Sequence, residues 1–133
     1  MKPRKLMARI AEWLARIRVR LPLGRRGERA AEKYLKRNGY RIVARNFRAA
    51  GAEIDLVAIE GKTLVFVEVK TRRGIGAGAP EEAVDARKQT RMHRAAEAFA
   101  RQYRVGETEM RFDIVAIDAA GRRLEFELLR NAF

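Results

Sequence analysis

Two charged residues interrupt an apolar run at residues 64–72, LVFVEVKTR. Glu68 and Lys70 lie two positions apart in a predicted strand, so their side chains point to the same face of a sheet. An unpaired carboxylate in a buried position costs several kcal/mol or takes up a proton. A carboxylate and an ammonium placed together at the end of an apolar strand therefore indicate a chemical site.

A second carboxylate, Asp55, lies in the preceding predicted strand, 53–60. The two strands are joined by the short turn EGK, and a turn that pairs Ile59 with Lys62 makes Glu68 the diagonal neighbour of Asp55. Diagonal neighbours on one face are roughly 7–8 Å apart, too far for a hydrogen-bonded carboxyl pair but suited to bracketing a hard cation. A slip of one residue in this register would move Asp55 to the opposite face.

A divalent cation between Asp55 and Glu68 would offset the cost of burying them. It would also supply Lewis-acid chemistry, including activation of a water molecule for attack on phosphorus. Lys70 would stand beside it, where it could orient or deprotonate that water or stabilise negative charge on phosphorus. The competing interpretation is an ion-pair cluster on a solvent-facing sheet edge. Leu64 and Phe66 share the face and favour burial, which counts against that interpretation.

The hydrophobic pattern predicts a mixed α/β scaffold for these residues, in the order αβββαββ, with helices packed on a mixed sheet. The predicted elements are a helix at 26–38, strands at about 40–47, 53–60 and 62–72, a helix from Pro80 to about Tyr103, and strands near 110–118 and 122–129. Asp113 is expected to pair with Arg111 or a neighbouring arginine. Residues 5–20 predict a separate basic amphipathic helix, so we expect an extension, 1–25, ahead of one domain, 26–133.

The composition excludes several kinds of site and indicates a polyanionic partner. No cysteine and one histidine exclude disulfides, thiolate zinc sites and paired-histidine metal sites. Apolar runs of about four residues predict no integral membrane segment, and a cytoplasmic protein is expected. The net charge of +13 arises in residues 1–50, with 16 Lys and Arg against 3 acidic residues, a pattern typical of nucleic-acid binding. An arginine-rich composition without a nucleic-acid role is the alternative.

The ordered motifs resemble a known family. EIDLVA followed by VFVEVKTR is similar to the Asp-(x)n-Glu-x-Lys signature of the PD-(D/E)xK nuclease superfamily, which has the restriction-endonuclease-like fold. GERAAEKYLKRNGYRIVARNFR, AVDARKQTR, RFDIVAI and the final NAF resemble the YraN-type family of predicted endonucleases, related to archaeal Holliday-junction resolvases, over residues 26–133. The resemblance implies a metal-dependent nuclease that acts on DNA in repair or recombination. It allows a homodimer and implies no small-molecule organic cofactor.

The same resemblance implies roles for residues of the predicted strands and first helix. Asp55 and Glu68 would ligate Mg²⁺ or Mn²⁺, and Lys70 would be the catalytic lysine. Glu28 matches a helix-borne acid that reaches the site from across the core. Glu53, on the face of Asp55, is expected to be a spare acid at the rim.

Residues of the second helix and the flanking arginines complete the implied site. Lys88 or Gln89 would contact the scissile phosphate or its water. Contacts to the nucleic-acid backbone are expected from the arginines beside the motifs, Arg25, Arg26, Arg72 and Arg73. The expected substrate is DNA with branches, flaps or ends.

Two other functions stay open. A nuclease-fold module could hold nucleic acid without cutting it, but the complete set of Asp55, Glu68 and Lys70 favours the enzyme, because a pure binder has no physical need for that set. An RNA- or ribosome-associated basic protein could instead bind through residues 1–24, which would place the function away from the sheet.

Overall fold

The computed structural model describes residues 26–72 and 84–133. The elements are α1 (Arg26–Arg37), β1 (Arg41–Ala49), β2 (Ala52–Glu60), β3 (Thr63–Arg72), α2 (Ala86–Gln102), β4 (Met110–Asp118) and β5 (Glu125–Leu129). These strands form a five-stranded sheet in the order β1-β2-β3-β4-β5, in which β3 and β4 are parallel and the other neighbours are antiparallel. The predicted order and the mixed α/β class are confirmed, and the arrangement is that of a restriction-endonuclease-like core.

Two predicted boundaries are wrong, and one prediction falls outside the described residues. Helix α2 begins at Ala86, and Asp85 caps it by accepting a hydrogen bond from the Lys88 backbone N–H at 2.8 Å. Strand β5 begins at Glu125, three residues after the predicted start. The predicted helix at 5–20 is not among the described residues. Of the helices that are described, none has the combined length and apolar character needed to cross a bilayer.

The middle of the sheet is covered on both faces. Residues 64–68 of β3 and 112–117 of β4 are buried without interruption, as expected for parallel neighbours that lie between two helical layers. One apolar cluster lies beneath α2 and includes Val57, Phe66, Met92, Phe99 and Ile114. The other lies beneath α1 and includes Ala31, Leu35, Leu56, Val67 and Ile117. A polar side chain in the middle of β3 must therefore find its partners inside the protein.

Helix α1 approaches the end of β3 closely because of a glycine. A Cβ atom at Gly27 would lie 2.4 Å from Thr71 Oγ1, so a larger residue would require the Thr71 side chain to move. Ala31 and Leu35, which are one helical turn apart, are completely buried and fix the rotation of the helix. The close approach places Glu28, the acidic residue of the first turn, at the same end of the sheet as Glu68 and Lys70.

A buried polar network ties the chain together at the other end of β2. Asp113, which is completely buried, accepts hydrogen bonds from Tyr40 Oη at 2.7 Å, Arg111 Nε at 2.8 Å and the Asn131 backbone N–H at 3.0 Å. Arg111 also donates to Glu60 at 2.7 Å. The expected pairing of Asp113 with Arg111 is confirmed. The network joins β1, β4 and the C-terminal segment, so its role is structural.

Replacing Asp113 by Ala is expected to reduce the free energy of unfolding by about 3–5 kcal/mol, because Arg111 and the Asn131 N–H lose their buried partner. Urea denaturation measures this change. Glu125→Ala, which removes an exposed acid from β5, is the control and should change the value by less than about 0.5 kcal/mol. Equal effects of the two substitutions would contradict a structural role for the network.

Candidate active site

The candidate site lies where the sheet divides. Cα pairing between β2 and β3 ends at Leu56↔Val67, whereas β2 remains paired with β1 as far as Ala52 and β3 remains paired with β4 as far as Arg72. Beyond Leu56 and Val67 the two halves of the sheet therefore separate. Asp55 holds this fork in place, because its Oδ2 accepts a hydrogen bond from the Val69 backbone N–H at 2.8 Å.

The predicted register of the β2–β3 hairpin is wrong by two residues. Glu60 pairs with Thr63 and Ile59 pairs with Leu64, so the two-residue turn consists of Gly61 and Lys62 rather than Glu60 and Gly61. An even shift preserves the face of every side chain. Continued by one residue, this register would place Asp55 across from Glu68, but the Cα pairing ends at Leu56↔Val67.

The two carboxyl groups are close enough to interact directly, so the expectation that they would not hydrogen-bond is also wrong. Burial raises the pKa of Asp55 to about 8, and the neighbouring negative charge of Glu68 adds to the increase. The hydrogen bond from the Val69 N–H lowers the pKa of Asp55, whereas the charge of Glu28 and a hydrogen bond with Glu68 raise it further. Carboxyl groups crowded in this way favour a proton or a cation between them.

Two further acids face Asp55. One carboxylate oxygen each from Glu28, Glu53 and Asp55 lie within 4.8 Å of one another. Asn46 connects the first two, because its Nδ2 donates to Glu28 at 2.8 Å and to Glu53 at 3.1 Å. Glu53, predicted to be a spare acid at the rim, is thus part of the cluster, and Arg48 donates to its other oxygen at 3.1 Å. Asn46 adopts a left-handed backbone conformation, which Asn tolerates better than most residues.

Two lysines approach the Glu68 carboxylate, which is buried. Lys88 Nζ lies 2.5 Å from Glu68 Oε1, and Lys70 Nζ lies 4.0 Å from the same oxygen. Lys88 comes from the first turn of α2, which the Asp85 cap anchors. Helix α2 and strand β3 are therefore joined by an ion pair at the floor of the site.

A cleft of about 510 Å³ opens above this floor. One wall is acidic and comes from β2 and β3, whereas the other is basic and comes from the first two turns of α2. The charged residues that line it include Glu53, Asp55, Glu68, Arg87, Lys88 and Arg91. Acids and cations on opposite walls suit a ligand that has both a metal ion and negatively charged groups.

Not every predicted residue reaches the cleft. Glu28, Lys70 and Gln89 are not among the lining residues. The Gln89 side chain donates to the Val84 carbonyl oxygen at 3.0 Å, just before the start of its own helix. Arg72 lies near Glu127, with 3.9 Å between Nη2 and Oε2. Arg26 is the first residue of α1. Its side chain, and the whole of Arg25 and Arg73, lie outside the described part of the structure.

Sequence reasoning did not single out Arg87 and Arg91, which line the basic wall. One signal for this wall was present, because Lys88 interrupts the apolar side of α2. It lies one turn from Val84 and one turn from Met92, both of which are buried. Lys88, a charged residue among apolar ones, was therefore the sequence signal for the ion pair with Glu68.

The donor set fits a hard divalent cation. Asp55, Glu68, Glu28 and Glu53 offer only carboxylate oxygens, the ligands that Mg²⁺ and Mn²⁺ prefer. Burial first, and then the negative charges of Glu68 and Glu28, raise the pKa of Asp55, so a cation beside these carboxyl groups would stabilise their charged forms. Glu28, Glu53 and Asp55 are close enough to share one ion, because an oxygen from each lies within 4.8 Å of the others, and Glu68 lines the same cleft.

Comparison with known proteins identifies relatives over most of the chain. The model described as "Uncharacterised protein family UPF0102", which is the YraN-type family, matches residues 27–117. The chain is 46% identical over 114 residues to the UPF0102 protein of Syntrophotalea carbinolica, covering 86% of this chain and 93% of that protein. It is 42% identical over 113 residues to the UPF0102 protein of Caldicellulosiruptor saccharolyticus, covering 84% and 96%. The YraN-type resemblance is confirmed, and membership of the nuclease superfamily stays a prediction.

Metal-free protein is expected to lose stability as the pH rises from about 4 to about 8. The pKa of Asp55 is about 8 when folded and ordinarily 3.8, so in this interval the folded state holds a proton that the unfolded chain has released. Asp55→Asn removes this dependence and keeps an oxygen acceptor for the Val69 N–H. At pH 8 with chelator, the variant should melt roughly 5 °C above wild type, and at pH 4 the gain should disappear. If the melting temperatures of wild type and Asp55→Asn changed equally with pH across this range, Asp55 would not be the origin of the pH dependence.

Proposed function

The chain belongs to the UPF0102 family, and we propose that it is a metal-dependent nuclease that hydrolyses phosphodiester bonds in DNA. The proposed substrates are branched, flapped or end-containing structures. This proposal joins the nuclease signature of the sequence with a cleft whose walls carry opposite charges.

The convergence of Asp55, Glu68 and Lys70 at the fork of the sheet is the observation that carries the proposal. Asp55 and Glu68 lie on facing strands, and Lys70 Nζ is 4.0 Å from Glu68 Oε1. Binding nucleic acid requires positive charge, whereas buried carboxylates weaken it. Retaining two crowded acids beside the catalytic lysine is therefore expected of an enzyme more than of a binding module.

The residues of the proposed site have separate roles in phosphodiester hydrolysis. Asp55 and Glu68 hold Mg²⁺ or Mn²⁺, which supplies Lewis-acid chemistry when bound. Lys70 orients or deprotonates the attacking water, or stabilises the negative charge that develops on phosphorus. Arg87 and Arg91 neutralise phosphate charge on the opposite wall. Burial of Glu68 beneath α2 strengthens the electrostatic interactions that this carboxylate makes.

An exposed row of arginines on α2 supports a nucleic-acid partner. Arg87, Arg91, Arg94 and Arg101 follow one face of the helix, and all four are exposed. Within residues 26–72 and 84–133, none of the four forms an ion pair with an acid. From Arg87 to Arg101 the row extends roughly 21 Å at the rise of an α-helix. Such a row, which begins at the cleft, matches the repeated charges of a phosphate backbone.

Cleavage should depend on both the metal and Lys70. Wild type is expected to cut DNA with Mg²⁺ or Mn²⁺ and not with chelator, while Lys70→Ala should reduce the rate by roughly 10²–10⁴-fold. The assay compares linear, flapped and four-way-junction DNA. Lys62→Ala removes an exposed lysine from the distal β2–β3 turn and should retain wild-type activity.

Removing either proposed metal ligand completes this test. Asp55→Ala and Glu68→Ala should abolish cleavage while DNA binding stays largely intact, because the phosphate contacts come from other residues. Wild-type activity in these variants would refute the assignment of the site. DNA binding without cleavage of any substrate would favour a nuclease-fold binding module instead.

DNA affinity should decrease steeply with salt, and part of that dependence should come from the arginine row. Arg91→Gln combined with Arg94→Gln is expected to reduce the slope of log K against log salt by roughly 1–2, because each lost phosphate contact contributes about 0.9. Fluorescence anisotropy with duplex DNA and chelator measures binding without cleavage. Arg41→Gln combined with Lys62→Gln, at the opposite end of β2, is the control and should leave the slope unchanged.

A further inference from the structure

The Glu68 carboxylate already has a cationic partner within the protein. Lys88 Nζ lies 2.5 Å from Glu68 Oε1, although Glu68 is only 5% exposed. The second ammonium, from Lys70, is 4.0 Å from the same oxygen. One oxygen of the proposed metal ligand is therefore in direct contact with Lys88.

The position of Lys88 is not explained by its helix. It lies in the first turn of α2, where the N-terminal end of the helix dipole disfavours positive charge, and that turn has no acidic residue. Its neighbours one turn away, Val84 and Met92, are buried and apolar. Glu68 is thus the interaction that keeps the ammonium in this position.

A cation ligated by Glu68 would compete with Lys88. Oxygen ligands lie roughly 2.0–2.6 Å from Mg²⁺ or Ca²⁺, which is as close as the ammonium lies to Oε1. Two positive charges at that distance from one oxygen repel each other strongly in a partly buried site. We therefore expect a cation that binds at Oε1 to displace Lys88 from that oxygen.

We propose that Lys88 is an internal counter-ion that occupies the metal-free site, lowers its affinity for divalent cations, and is released to the cleft when a cation binds. This inference rests on the proposed function, because it takes Glu68 as a metal ligand. The released ammonium joins Arg87 and Arg91 on the basic wall, where substrate phosphates would bind. Metal loading and phosphate binding are coupled in this way, and Lys88 acts as a positioning residue.

Mn²⁺ binding to the full chain without nucleic acid tests the proposal. Titration followed through the electron paramagnetic resonance signal of free Mn²⁺ gives the dissociation constant. Lys88→Met, which suits the apolar neighbours, and Lys88→Gln, which keeps a neutral donor for Glu68, should each bind Mn²⁺ at least tenfold more tightly than wild type. Tenfold corresponds to about 1.4 kcal/mol, within reach of the loss of one charge-assisted hydrogen bond.

Arg91→Met is the matched control, because it removes one positive charge from the same wall without a contact to Glu68. It should strengthen Mn²⁺ binding less than threefold. An equal gain in Arg91→Met and in the Lys88 variants would overturn the proposal, since net charge alone would then account for the effect.

Thermal melting provides a second readout that does not depend on activity. Without Mn²⁺, both Lys88 variants should melt below wild type, because Glu68 loses its partner. Saturating Mn²⁺ should raise the melting temperature more in the variants than in wild type, because tighter binding to the folded state stabilises it more. A metal-induced shift equal to that of wild type would contradict competition for Glu68.

Asp55→Asn and Glu68→Gln separate failure of this inference from failure of the proposed function. If they lose Mn²⁺ binding but the Lys88 variants gain none, only the counter-ion role is refuted. If they bind Mn²⁺ like wild type, or if no variant binds it, the proposed metal site fails and the inference fails with it.

Discussion

The burial of the Glu68 carboxylate is the constraint on which the rest of the site depends. Strand β3 lies between two helical layers, so a charged group in its interior requires partners that the protein itself supplies. Lys88 supplies one from α2, and Asp55 shares the same space from β2. The start of α2 is tied to this group through Lys88, while the fork between β2 and β3 is held by the hydrogen bond from the Val69 N–H to Asp55.

The fork explains how a regular sheet accommodates a cluster of acids. Ladder pairing between β2 and β3 stops at Leu56↔Val67, and the Asp55 side chain takes the next backbone N–H, that of Val69. Strand β2 also contributes Glu53, and the first turn of α1 contributes Glu28. Helix α1 and strand β3 contribute one acid each and β2 contributes two, so the four acids come together only when α1 packs on the sheet.

Two aspartates, Asp113 completely buried and Asp55 half-buried, illustrate how the surroundings of an acid decide its role. Asp113 is surrounded by donors from Tyr40, Arg111 and a backbone N–H, so its interactions are satisfied within the protein. Asp55 has the N–H of Val69 and carboxyl neighbours, and its pKa is raised. An acid that is surrounded by hydrogen-bond donors contributes to the stability of the fold. An acid that is surrounded by other carboxyl groups instead favours a bound cation. The sequence alone, in which both residues lie in similar apolar strands, does not reveal this difference.

Local periodicity was sufficient to determine the order of elements and to place Glu68 and Lys70 on one face of β3. Alternation does not hold through β2, because Ile54 and Val57 pack in the same cluster beneath α2 while Leu56 packs beneath α1. Only the tertiary structure decided that Asp55 interacts with Glu68, that Glu53 joins Glu28, and that Gln89 turns back to Val84. It also decided that Arg87 and Arg91 face the acids. These outcomes depend on the exact turn, on the left-handed backbone at Asn46 and on helix placement, which arise from packing between distant segments rather than from the pattern within one segment.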